Sequence, residues 1–308
     1  MSPVKQFGCR VGLDKPESFE GWFTKVDDRN QNFLFSVIWG YSTHRATGHA
    51  FLQFTSSLAH QTVYVRYPLE DLHMQPDPFV LRIGGNELSE QGMRLDFEAE
   101  NVRVQGTFTF GAFTPIRTSF FRPNIMGWMT WFPNECNHAI ISMAHRVDGN
   151  LRIGENTWAL HSADGYIEKD WGRSFPREYV WVHANGWEDS AIVFSYATVP
   201  ILGKYAKGFF LMLHHQGREY RFSSIEGARM LGFEVSQDAF QVTVRKGSRV
   251  VSVRARQANP VALASPSNGE MRNRIKESLD GTIEVRMTVD GVETLHLNSD
   301  RASIDVHY

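Results

Sequence analysis

Cysteine is scarce in this chain of 308 residues: Cys9 and Cys136 are the only two. A secreted domain stapled by disulfides uses more, so both read as free thiols. Cys136 stands near His138, yet no nucleophile motif surrounds the pair. A basic excess is missing too. Lys and Arg total 32 against 34 for Asp and Glu, a formal net charge of −2. Nothing is left over to neutralise a phosphate backbone, which excludes nucleic acid as the expected partner. No stretch approaches the ~18 consecutive apolar residues of a spanning helix. The opening MSPVKQFGCRVGLDKPE carries no apolar signal core. The expected location is the cytoplasm, with peripheral contact at a membrane surface as the alternative.

The usual catalytic signatures are also absent. There is no HExxH, no P-loop, no GxSxG elbow and no GxGxxG opening a helix. His214 and His215 are adjacent, and neighbours on a strand point to opposite faces, which makes a poor chelate. No metal and no cofactor are expected.

What the chain has in quantity is aromatic side chains, 13% of residues, with eight Trp and 22 Phe. Aromatics fill β-rich cores well, and that is their first reading. Period-two alternation recurs along the chain. Phe33, Phe35, Val37, Trp39 and Tyr41 share one face of a strand over 32–41. Val102 to Phe110 alternates again. Phe240 to Val244 and Val251 to Ala255 flank a hairpin turn at Lys246-Gly247-Ser248. Ile283, Val285, Met287 and Val289 alternate ahead of a turn at Asp290-Gly291. Many short strands at this spacing predict an all-β fold of antiparallel barrels or sandwiches. Between Thr114 and Pro133 the aromatic run TPIRTSFFRPNIMGWMTWFP is broken by Pro115 and Pro123, and reads as a covering loop. Strand character returns after it, which places a boundary near residue 150 and two domains, 1–150 and 151–308. Residues 266–279 are polar and read as a loop with one helical turn.

The chemistry concentrates in GYIEKDWGRSFPREYVWVHAN, Gly165 to Asn185. On an extended backbone Tyr166, Glu168 and Asp170 fall on one face, and Ile167, Lys169 and Trp171 on the other. Gly172 permits a bend and Pro176 ends the strand. In the next strand Val180, Val182 and Ala184 make a small apolar face suited to a core. Tyr179, Trp181, His183 and Asn185 make the opposite one, aromatic bodies with polar tips that suit the wall of an amphipathic ligand site.

This segment resembles the signature of the tocopherol cyclase family, approximately Tyr-x-Glu-Lys-Asn-Trp-Gly-x-x-Phe-Pro followed by Trp-x-Trp-x-Gln-x-Asn. EGWFTKV (Glu20 to Val26), GWMTWFP (Gly127 to Pro133), LHHQGREYRF (Leu213 to Phe222) and ESLDGTIEVRM (Glu277 to Met287) resemble further family elements in the same order. Asp170 stands where plant members tend to have Asn, His183 where they have Gln, and Tyr179 where they have Trp. The resemblance implies two lipocalin-like, calycin-type domains. It also implies acid-initiated closure of a prenylated hydroquinone or related terpenoid to a chromanol, with no cofactor.

Such a reaction needs a carboxylic acid kept protonated by burial, aromatic faces for the cation, and exclusion of water. Glu168 and Asp170 lead as proton donors and Glu20 is third. The alternative for Glu20 and Glu168 is an ion pair with Lys25, Lys169 or Arg173. Trp22, Trp39, Trp171 and Trp181 are candidate ligand-facing aromatics that could equally be core, with Tyr166 and Tyr179 beside them. Asn185 and His183 would orient the phenol, and His183 is an alternative acid. Trp128 and Trp131 would close the cavity or touch a membrane. A non-catalytic carrier of a hydrophobic small molecule is the competing function.

Overall fold

The computed structural model describes residues 4–58, 61–100, 102–132, 134–187, 189–201 and 204–308. The chain divides into two compact units, Met1–Phe175 with Ala264–Arg274, and Pro176–Leu263 with Ile275–Tyr308.

The first unit is one antiparallel sheet of 11 strands. They are β1 (Phe19–Asp28), β2 (Phe33–Ser42), β3 (His49–Ser56), β4 (Gln61–Tyr67), β5 (Leu72–Pro76), β6 (Phe79–Ile83), β7 (Asn86–Ser89), β8 (Gly92–Ala99), β9 (Val102–Phe110), β10 (Cys136–Ile153) and β11 (Asn156–Gly172). The spatial order is β4-β3-β2-β1-β11-β10-β9-β8-β7-β6-β5, so the late hairpin β10–β11 lies between the first strand and β9. The sheet curls until β3 and β4 meet β6 and β8, a nearly closed barrel. Its interior is filled by aromatics, as the alternation of β2 requires. Phe33, Phe35, Val37, Trp39 and Tyr41 all enter one core with Trp22, Phe79 and Phe108. Phe35 meets Phe108 with ring centres 5.4 Å apart, and Phe33 stacks on Trp158 at 4.5 Å. Each such ring contributes on the order of 1.5–3 kcal/mol by leaving water.

The second unit curls a 10-stranded sheet, of which the hairpin stretch Ala264–Arg274 belongs to the first unit. Its strands are β12 (Tyr179–Trp187), β13 (Ser190–Ile201), β14 (Lys204–His215), β15 (Arg218–Ser223), β16 (Arg229–Val235), β17 (Ala239–Lys246), β18 (Arg249–Arg256), β19 (Val261–Ser267), β20 (Glu270–Val289) and β21 (Val292–His307). The order runs β15-β14-β13-β12-β21-β20-β18-β17-β16, with β19 paired to β20. Lys246 Nζ donates to the Arg221 carbonyl at 3.1 Å and ties β17 to β15. Val180, Val182 and Ala184 face a mainly aliphatic core with Phe194, Val242 and Val253. The turns expected at Gly247-Ser248 and Asp290-Gly291 stand where the sequence puts them. This is an all-β chain of two lipocalin-like units.

Two expectations differ from the structure. The chain passes between units at Phe175/Pro176, whereas residue 150 lies inside β10. The irregular aromatic segment is an insertion between β9 and β10, so the break in alternation does not end a unit. Residues 266–279 are hairpin backbone, the end of β19 and the start of β20. Arg272, Asn273 and Arg274 are exposed there, and strand pairing by the backbone needs no apolar side chain.

Candidate functional site

The alternation read for β11 holds. Ile167 and Trp171 pack with the barrel core, while Tyr166, Glu168 and Asp170 take the other face. On the neighbouring strand His138 lies directly opposite Asp170, and Ile140 opposite Glu168. From the other side β1 places Phe23 against Glu168 and Gly21 against Asp170. Glu168 thus sits between two apolar neighbours, and no β1 side chain overlays Asp170.

The His138 ring bridges the two carboxylates. Its Nδ1 donates to Asp170 Oδ1 at 2.8 Å, and its Nε2 lies 3.2 Å from Glu168 Oε2. The Tyr166 hydroxyl donates to Glu168 Oε2 at 2.5 Å. Burial alone would depress His138, but the charges of Glu168 and Asp170 outweigh it and push the imidazole up to about 10. The ring thus favours its charged form, hydrogen-bonded to Asp170 through Nδ1 and in close ionic contact with Glu168 through Nε2. Burial raises the Glu168 carboxyl, opposed by His138. Burial and the Glu168 charge hold the Tyr166 phenol well above its usual range. Side-chain exposure grades from 8% at Glu168 through 12% at His138 to 22% at Asp170. Asp170 is the open end of the array.

His138, Glu168 and Asp170 are also the group of described residues whose ligand atoms could gather around a metal ion. One ligand atom from each lies within 4.8 Å of the others, while the two ring nitrogens are turned to two different carboxylates.

Glu20 belongs to a second cluster, inside the barrel. Its carboxylate accepts from Lys169 Nζ at 2.6 Å, from the Tyr41 hydroxyl at 2.6 Å, and from the amides of Arg10 and Val11 at 2.8 and 2.9 Å. Lys169 also donates to the Gly8 carbonyl at 2.5 Å, and its ammonium lies 5.0 Å and 5.1 Å from the Trp22 and Trp171 ring centres. Burial lowers the Lys169 pKa, opposed by Glu20. Of the ion-pair options open for Glu20, Lys169 is the one realised. Trp22 donates to the Phe7 carbonyl at 2.9 Å, and Trp39 to Thr24 Oγ1 at 3.1 Å. Trp22, Trp39 and Trp171 therefore share the barrel face with Lys169, and the sheet separates them from Glu168 and Asp170.

In the second unit Tyr179, Trp181, His183 and Asn185 are all buried on the face of β12 opposite its aliphatic core. Tyr179 donates to Asp305 Oδ2 at 3.2 Å, and the Trp181 and His183 rings lie 6.4 Å apart. Trp128 and Trp131 stand on a short 3-10 turn, Gly127–Trp131, and both are exposed.

His138 is the residue that sequence reading passed over. Cys136, His138 and Ile140 alternate, which was a usable strand signal, but pairing with Asp170 across 32 positions was not visible. Cys136 is no nucleophile for it, since burial and then the Asp170 charge push its thiol well above the usual range. Gly172 fixes the end of the array. A Cβ there would come within 2.2 Å of the Glu135 carbonyl oxygen, which accepts from the Arg173 amide at 2.7 Å.

Fold and site together define a paired lipocalin-like protein with a His–carboxylate array on the outer face of its first barrel. The chain belongs to the tocopherol cyclase-like family, whose sequence pattern matches residues 101–306. Among solved structures it is similar to a Nitrosomonas europaea protein provisionally assigned as AttH, with TM-score 0.56 and 13% identity over 99% of this chain and 96% of that one. It is also similar to kievitone hydratase from Nectria haematococca, with TM-score 0.56 and 10% identity over 93% and 88% of the two chains. These likenesses are of fold. No helix of the described residues is long and apolar enough to cross a membrane.

Proposed function

We propose that the chain is a cofactor-independent acid catalyst that closes a prenylated hydroquinone, or a related terpenoid, to a chromanol-type ring. The observation that carries this reading is the His138 imidazolium bridging Glu168 and Asp170, with Asp170 at the open end. His138 and Asp170 share one acidic proton: in the tautomer that carries it on Asp170 Oδ2, Asp170 donates it to the trisubstituted prenyl double bond. The Nδ1–H of the then neutral His138 ring stays on Oδ1 and stabilises the carboxylate that remains. The phenolic oxygen captures the tertiary cation, and its proton returns to Asp170, so the reaction is an isomerisation with no net proton change. Glu168, which accepts from Tyr166, lies against the other ring nitrogen and its charge favours the protonated ring. Capture by water instead of phenol would make the same array a hydratase, the activity named for the kievitone enzyme of like fold.

The test is incubation with prenylated hydroquinones followed by chromatography and mass spectrometry. Ring closure leaves the mass unchanged, and hydration adds one water. Asp170→Asn should lower turnover by about 10²–10⁴-fold with affinity kept. A variant as fast as the wild type would remove Asp170 from the chemistry.

A carrier reading draws on a different feature. The second unit has an open groove of about 880 Å³ whose lining includes Phe240, Ala255, Ile283, Arg254 and Glu284. Its charged groups form ion pairs at the surface, such as Arg254 with Glu284 at 3.6 Å. Tight binding across a substrate panel with no conversion would favour the carrier.

A further inference from the structure

The aromatic segment between β9 and β10 is firmly built. Ser119 and Arg122 exchange two backbone hydrogen bonds, at 2.9 and 3.0 Å, which closes a tight turn with Phe120 and Phe121 at its tip. These rings are 76% and 74% exposed and pack edge to face at 5.3 Å. Phe120 also lies 6.0 Å from Trp131, and Trp128 lies 5.6 Å from Phe132, and all three of those partners are exposed as well. Beneath them Ile116, Asn124 and Ile125 are buried. Asn124 Oδ1 accepts from the Met126 amide at 2.8 Å and from Thr130 Oγ1 at 2.6 Å. Asn134 Nδ2 donates to the carbonyls of Met129 and Phe132. A fixed base thus presents five large aromatic rings to solvent, a contiguous patch that water disfavours.

The segment's own charges have one sign. Between Thr114 and Phe132 the charged residues are Arg117 and Arg122, both exposed, with no carboxylate among them. We propose that this segment docks the protein on an anionic phospholipid surface. Phe120 and Phe121 enter the acyl boundary, Trp128 and Trp131 sit at headgroup depth, and Arg117 and Arg122 meet lipid phosphates. The convex tip favours lipid over a protein partner, since two adjacent rings on a turn need a matching pocket in a protein and none in a bilayer. The inference rests on the proposed function in one respect: prenylated quinols dissolve in bilayers, and the segment leads directly into β10 and His138.

The test is flotation with phosphatidylcholine vesicles, with and without phosphatidylglycerol. The wild type should float with the mixed vesicles. Phe120→Ser with Phe121→Ser should lower the bound fraction about tenfold or more while melting like the wild type. Arg117→Gln with Arg122→Gln should weaken binding to anionic vesicles and leave neutral ones unaffected. Wild type that stays unbound to both vesicle types would overturn the proposal, as would a Phe variant that floats unchanged. A wild-type oligomer that the Phe variant dissociates, without any change in flotation, would assign the patch to a second copy of the chain. Asp170→Asn should float normally, and the Phe variant should still turn over a short-chain, water-soluble quinol. Loss of docking and loss of chemistry are therefore separately visible.

Discussion

The two faces of β11 carry nearly the same inventory and put it to opposite uses. Inside the barrel, Glu20, Lys169 and Tyr41 meet two tryptophans. Outside, Glu168, His138 and Tyr166 meet Asp170. The inner carboxylate is saturated, by an ammonium, a phenol and two backbone amides. Nothing is left on it for a substrate. The outer array ends in a carboxylate that one imidazole N–H holds and that stays partly open. Residue types do not separate the two clusters here; the number of unsatisfied lone pairs does.

The sharpest way to break this comparison is to measure stability on both faces. Lys169→Met should cost about 3–5 kcal/mol in urea unfolding, because it strands a buried carboxylate. Glu20→Gln combined with Lys169→Met should cost less than the sum of the single changes. Asp170→Asn should cost about 1.5–3 kcal/mol, one partly exposed hydrogen bond to a charged ring. If it destabilised as much as Lys169→Met, the outer array would be scaffold too.

A second measurement uses pH. The folded pKa of His138, about 10, lies above its ordinary value of 6.5. Its contribution to stability is complete below pH ~6.5 and is lost as pH rises towards 10. The stability gap between wild type and His138→Gln should therefore narrow over that window. A gap constant with pH would mean that the ring is neutral. Tyr41→Phe should then cost about 1.5–3 kcal/mol, one hydrogen bond to a buried charge. At the small end, Phe120→Ser with Phe121→Ser should change unfolding by no more than about 0.5 kcal/mol. A large loss there would mean that the turn is part of the core.

The barrel was legible because alternation is a local signal. Phe33 through Tyr41 needed only the period of two to be placed inside. The carboxylates of β11 were legible for the same reason, as was their separation from Lys169 and Trp171. His138 was not, because its role comes from register between two strands and nothing within β10 announces it. Residues 266–279 misled for the converse reason, since polar side chains on a hairpin give no alternation to read. The grouping of Trp22 with Glu168 failed at the sheet itself, because positions of opposite parity point to opposite sides.

The segment Phe7 to Val11 plugs the first barrel, with Phe7 and Val11 in its core, Phe7 against Phe79 at 4.9 Å and the Gly8 carbonyl on Lys169. Lipocalin-type folds are known as vessels, yet this one is corked by its own polypeptide. A guest molecule could occupy that interior only by evicting the cork and uncoupling Glu20 from the Arg10 and Val11 amides. The first unit is thus a pillar rather than a cup.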